Sequence, residues 1–123
     1  MKTIISGSRT ISEKLAKRVL TAIFPQLDFR PSLIISGGAS GVDTGASQYA
    51  QENNIPFQLY PALWNLHGKS AGALRNIEMA QNGEFLLAVW DGESKGTEHM
   101  IKVAKDYNLS IHIAYTLPDR KRS

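Results

Sequence analysis

Three short segments gather glycine, hydroxyl and charged residues directly behind apolar runs: Gly7-Ser8-Arg9, Gly37-Gly38-Ala39-Ser40-Gly41, and Asp91-Gly92-Glu93-Ser94-Lys95-Gly96-Thr97. Glycine lets the main chain turn with positive φ and approach a ligand closely, and a helix that starts just afterwards offers unpaired N–H groups to an anion. A single loop of this kind is equally well a tight turn, and Ser40-x-x-Asp43 has the pattern of a capping box in which Asp43 answers the helix dipole. Several such loops on one edge of a sheet make phosphate the better expectation. Arg75 adds a planar guanidinium suited to a bidentate phosphate contact, the alternative being a pair with Glu78 one turn on. Asp43 and Asp91 could accept ribose hydroxyls, as acids do in other nucleotide folds. Trp64 could stack on a base; equally, Trp64 and Trp90 could be half-buried hydrophobes and Arg9 a surface cation.

Two better-known phosphate motifs do not fit. The first strand is followed by GSR rather than G-x-G-x-x-G, and Gly68-Lys69-Ser70 ends like a P-loop but has Leu63 where that motif needs glycine. The absence of cysteine excludes disulfides and thiolate chemistry. His67, His99 and His112 form no i, i+4 pair, so neither a metal site nor a cofactor is expected. The opening MKTIISGSRT is too short an apolar run for a signal peptide and no membrane-spanning run follows, which makes the cytoplasm the expected compartment. Of the net charge of +3, Asp119, Arg120, Lys121 and Arg122 supply +2, so the body is nearly neutral and nucleic acid is not the expected partner.

With 123 residues, 42% hydrophobic and 20% charged, the chain has the size and composition of one globular domain. Short apolar runs alternate with amphipathic ones. Strands are expected at 3–6, 32–36, 56–60, 84–90 and 110–114. Helices are expected from a capping box at Thr10-Ile11-Ser12-Glu13, from the glycine loop to about Asn53, over 70–82 and over 96–107. Strict alternation implies an α/β fold, a Rossmann-like three-layer sandwich of about five parallel strands with helices on both faces. One domain over 2–115 is expected, with a frayed basic tail over 116–123; Pro61–Lys69 is a long connection and a candidate functional loop.

Gly7-Ser8-Arg9, the GGASGVD segment, Pro61-Ala62-Leu63-Trp64 with Gly68-Lys69-x-Ala71-Gly72-x-x-Arg75-Asn76-x-x-Met79, and Asp91-Gly92-x-Ser94-x-Gly96-Thr97 together resemble the SLOG superfamily, nearest its compact YpsA-like branch. More distantly the chain is similar to the LOG phosphoribohydrolases and to DprA. The resemblance implies a nucleotide or an ADP-ribose-type signal as ligand, held by Gly7, Ser8, Arg9, Gly37, Gly38, Ala39, Ser40, Gly41, Asp43, Trp64, Lys69, Arg75, Asn76, Asp91, Gly92, Ser94, Gly96 and Thr97. Arg75 falls where LOG enzymes carry the arginine of RKxxM, with Asn76 in place of the lysine. Their glycine loop PGGxGTxxE ends in a glutamate used in glycosidic cleavage, and Met100 stands at that position here.

The expected activity is therefore binding for sensing or sequestration, without turnover. The alternative is a nucleotide N-glycosidase using Arg75, Glu98 and Asp91, although Glu98 would point about 200° around the helix from Met100. A third reading, single-stranded nucleic-acid binding, would use Arg9, Lys69, Lys95 and the tail. A homo-oligomer, dimer or tetramer, is expected for so small a domain, and the contest between phage and bacterial nucleotide signalling is a setting the resemblance suggests.

Overall fold

The computed structural model describes residues 1–38 and 41–120. Its five strands are β1 (Lys2–Gly7), β2 (Leu33–Ser36), β3 (Phe57–Leu59), β4 (Phe85–Trp90) and β5 (Ser110–Tyr115), all parallel in the order β3-β2-β1-β4-β5. The helices are α1 (Glu13–Ile23), α2 (Gly41–Glu52), α3 (Trp64–His67), α4 (Ala71–Asn82) and α5 (Lys95–Asp106). This is the Rossmann-like α/β sandwich that the alternation implies. No helix among the described residues is long and apolar enough to cross a membrane.

Why the sheet sits in the middle is written in adjacent pairs of apolar residues. Successive side chains leave opposite faces of a strand, so a strand covered on both faces needs apolar residues at consecutive positions. Ile4 with Ile5, Ile34 with Ile35, and Leu86 with Leu87 are all fully buried. Ile5, Ile34 and Leu87 join Ala16 and Leu20 of α1 and Val42 and Ala46 of α2. Ile4, Ile35 and Leu86 join Met79 of α4 and Met100, Val103 and Ala104 of α5 on the other face. Truncating a buried leucine such as Leu87 to alanine costs about 2–5 kcal/mol.

Three local expectations are corrected. The cap of α1 is Ser12, whose Oγ accepts from the Leu15 amide, while Thr10 turns away from the helix and donates to Asp91. A serine directly before the first helical residue is the better-placed cap, and Thr10 finds a carboxylate instead. The long connection Pro61–Lys69, expected as a loop, holds α3 and runs into a 3₁₀ turn over Gly68–Ser70. Nor is the tail frayed at its start. Ser12 donates through both its amide and its hydroxyl to the Asp119 carboxylate, and the amides of Asp119 and Arg120 donate to the Thr10 carbonyl. Lys121, Arg122 and Ser123 lie outside the described residues.

The chain leaves β1 toward β2 and β3, then returns to place β4 on the other side of β1. In such sheets a crevice opens beyond the carboxyl ends of the strands where the order reverses. Here that place lies between the ends of β1 and β4.

Candidate functional site

A cleft of about 720 Å³ occupies this switch point. Its floor is the end of β1 and the following loop, Ser6 to Thr10; one wall is the start of α5 with the loop before it, Glu93 to Thr97 and His99. The opposite wall comes from Trp64 of α3 and from Gly72, Ala73, Arg75 and Asn76 of α4.

The two strand-end loops are stitched together. The Ser8 amide donates to the Val89 carbonyl at 3.1 Å, and the Ser8 hydroxyl accepts from the Asp91 amide at 3.1 Å. Thr10 donates to the Asp91 carboxylate at 2.6 Å. The same carboxylate accepts from the Glu93 and Ser94 amides, at 2.9 and 2.8 Å, and from the Ser94 hydroxyl at 2.8 Å. Burial pushes the Asp91 pKa up, but these hydrogen bonds outweigh it and hold the carboxyl well below the usual carboxylate range. Asp91 thus acts as a knot that shapes the loop leading into α5. Gly96, in the first turn of α5, has no atom within 4 Å of where a side chain would begin, so the helix start is open to the cleft.

On the other wall, Arg75 Nη1 donates to the Gly37 carbonyl at 2.9 Å and Nε donates to Asn76 Oδ1 at 3.2 Å. Any Cβ on Gly37 would run into the guanidinium. Gly38 follows with φ of 72°, a conformation in which glycine is the undemanding residue. Burial lowers the Arg75 pKa from its ordinary value; the Asp43 carboxylate offsets part of this and Arg9 reinforces it. The guanidinium remains charged, partly desolvated and facing a second cation. Asn76, only 6% exposed, continues the chain of contacts to His99, its Nδ2 lying 3.0 Å from the ring Nδ1.

The first 67 residues match the model of the YAcAr family, described as the YspA, cpYpsA-related SLOG family. The chain belongs to that family. It is 35% identical to the Gene 61 protein of Mycobacterium phage D29 over 118 residues, which is 89% of this chain and 93% of the phage protein. The fold of this SLOG protein is also that of DNA processing protein A (DprA) from Streptococcus pneumoniae, with a TM-score of 0.69 and 19% identity over 91% of this chain. The chain spans about half of that protein, 49% of its length.

Gly7, Ser8, Arg9, Trp64, Arg75, Asn76, Ser94, Gly96 and Thr97 are thus brought together around the cleft of this SLOG domain. Gly37 packs against the Arg75 guanidinium and Gly38 against Leu59, neither of them lining the cleft, and Ala39 and Ser40 lie outside the described residues. Gly41 packs against the main chain of Ile11 and Glu13. Asp43 is buried and accepts a hydrogen bond from Ser36. Lys69 sits exposed in the 3₁₀ turn, and Gly92 turns the chain after β4 with φ of 84°. Glu98 faces Lys95, 3.9 Å away, and Met100 is fully buried in the core.

Sequence reasoning missed Ser6, Thr10, Gly72, Ala73, Glu93 and His99, and took Lys95 only for nucleic acid. For two of these a signal existed. His99 is one turn beyond Gly96 and Gly72 one turn before Arg75, so each shares a helix face with a residue already suspected.

Proposed function

We propose that this SLOG domain binds a nucleotide-derived anion, a nucleotide or an ADP-ribose-type molecule, in the switch-point cleft and releases it chemically unchanged. The observation that carries the reading is Arg75: a guanidinium partly withdrawn from water, with Arg9 nearby and the start of α5 open across the cleft. An anion would relieve the repulsion between the two cations and supply the acceptor that burial has taken from Arg75. A volume of about 720 Å³ suits a ligand of nucleotide size. Retention without turnover is supported by Met100, whose thioether cannot transfer a proton and is buried in the core, and by Glu98, which is not among the residues lining the cleft.

Such a domain acts in the cytoplasm by sensing or withdrawing its ligand. The phage relative favours a setting in which a virus and its host compete over nucleotide signals. Leu59, Leu63, Leu66 and Leu74 are exposed around α3 and α4, which supports assembly into a dimer or tetramer. Light scattering at micromolar concentration should return a multiple of the chain mass; a monomer would remove this part.

Calorimetry with AMP and ADP-ribose should show saturable binding, and chromatography after long incubation should recover both intact. One observation favours the N-glycosidase alternative, the Glu93 carboxylate at the cleft. Multiple turnovers that Glu93→Gln abolishes while binding persists would establish it in place of the binding reading.

A further inference from the structure

The contacts around Asn76 fix more than its own position. Nε of an arginine always carries hydrogen and can only donate, so the amide oxygen of Asn76 must be the atom facing Arg75 at 3.2 Å. The amide NH₂ is therefore turned to His99, 3.0 Å from Nδ1. A ring nitrogen that receives an N–H cannot itself hold a proton, so the proton of the neutral imidazole is on Nε2. Asn76 is buried at 6% exposure, which protects both contacts from competing water. His99 lines the cleft, and its Nε2 has no partner among the described residues.

We infer that His99 is a ligand-contacting residue of this cleft, locked by Asn76 as the Nε2–H tautomer and donating one hydrogen bond to an oxygen of the bound molecule. The tautomer rests on hydrogen-bond geometry alone; the identity of the acceptor, a phosphate, ribose or carbonyl oxygen, rests on the nucleotide reading above. Asn76 is then a positioning residue. It ties the orientation of His99 on α5 to that of Arg75 on α4, so that the directional donor and the charge come into place together. This gives a buried asparagine a task that its neighbours in sequence do not suggest, and it places a neutral donor beside two cations, which adds selectivity for geometry without adding charge.

Nitrogen-15 spectra of the full chain, recorded at mildly alkaline pH where imidazole is neutral, decide the tautomer. His99 should show Nε2 protonated and Nδ1 bare, and His99→Gln identifies its signals against those of His67 and His112. In Asn76→Asp the carboxylate accepts from both neighbours, so the His99 proton should move to Nδ1 while His67 and His112 stay unchanged. A natural chain with Nδ1–H at His99 overturns the inference whether or not the variant folds, as does an Asn76→Asp protein with the original tautomer. For the contact, ADP-ribose titrations should show about a tenfold loss in His99→Ala and recovery of most of it in His99→Gln, whose amide nitrogen reaches the Nε2 position. Unchanged affinity in His99→Ala overturns the contact. No binding by the natural chain removes the nucleotide reading and the donor's role with it, while the nitrogen spectra still judge the tautomer.

Discussion

The loops after β2 and after β4 are both rich in glycine, yet they use it in opposite directions. Behind β2 the glycines face inward: Gly37 makes room for the Arg75 guanidinium, Gly38 turns with positive φ against Leu59, and Gly41 lets α2 start against the main chain before α1. Behind β4, Gly92 and Gly96 have nothing within 4 Å of a would-be Cβ and face outward. A glycine-rich loop can thus serve a site by placing a side chain that belongs to another element, or by leaving its own backbone bare. Sequence alone does not distinguish the two, since the deciding atoms come from α4 in one case and from no residue in the other.

The contrast can be broken most severely at Arg75, the side chain that the inward glycines accommodate. Arg75→Ala should cost about a hundredfold in affinity for ADP-ribose or AMP, and Arg75→Lys about tenfold, because lysine keeps the charge but loses the fork that spans Gly37 and Asn76. Calorimetry on the three proteins checks this; equal affinities would leave Arg75 only the structural role of tying Gly37 to Asn76. Next comes Gly37→Ala, whose methyl group meets the guanidinium. Affinity should fall about tenfold and stability by about 1–3 kcal/mol in urea denaturation.

Gly96→Ala sharpens the difference from the other side. The fold has space for the methyl group and alanine favours helix by up to about 1 kcal/mol, so stability should hold or rise while affinity falls a few-fold. Opposite signs in the two denaturation curves are the signature of inward and outward glycine. The smallest effect concerns the knot that shapes the outward loop. The Asp91 carboxyl titrates lower in the folded chain than in the unfolded one, where it lies at about 3.9. Its contribution is full above that pH and is lost as pH falls through the folded-state value. Asp91→Asn should therefore weaken the fold at neutral pH and flatten its acid limb below about pH 4, as measured by denaturation across a pH series.

How much of this was legible can be judged residue by residue. The sheet was, because pairs such as Ile4-Ile5 and Leu86-Leu87 announce strands buried on both faces, and the helices carry their own period. Four-residue α3 was not, being too short to show any period. At the site, residues sharing a loop or a motif with glycine were found, Arg75, Asn76 and Thr97 among them. His99 escaped since its meaning comes from how α4 packs on α5, across 23 residues of sequence. The tail escaped for a related reason: its hold on Ser12 spans 107 residues and depends on one carboxylate, whereas its composition speaks of solvent.

The order of the strands also sets a timetable for a chain emerging from the ribosome. β1 is the first strand made and lies at the centre of the sheet, with β2 on one side and β4 on the other. Its partner in β4 begins at Phe85, so every element from α1 to α4 must be synthesised before the second edge of β1 can pair. Until then the main-chain N–H and C=O groups along the Thr3-Ile4-Ile5 edge stand unpaired, a template for pairing with other nascent chains. The first strand of the sheet is thus enclosed only once the fourth has been made.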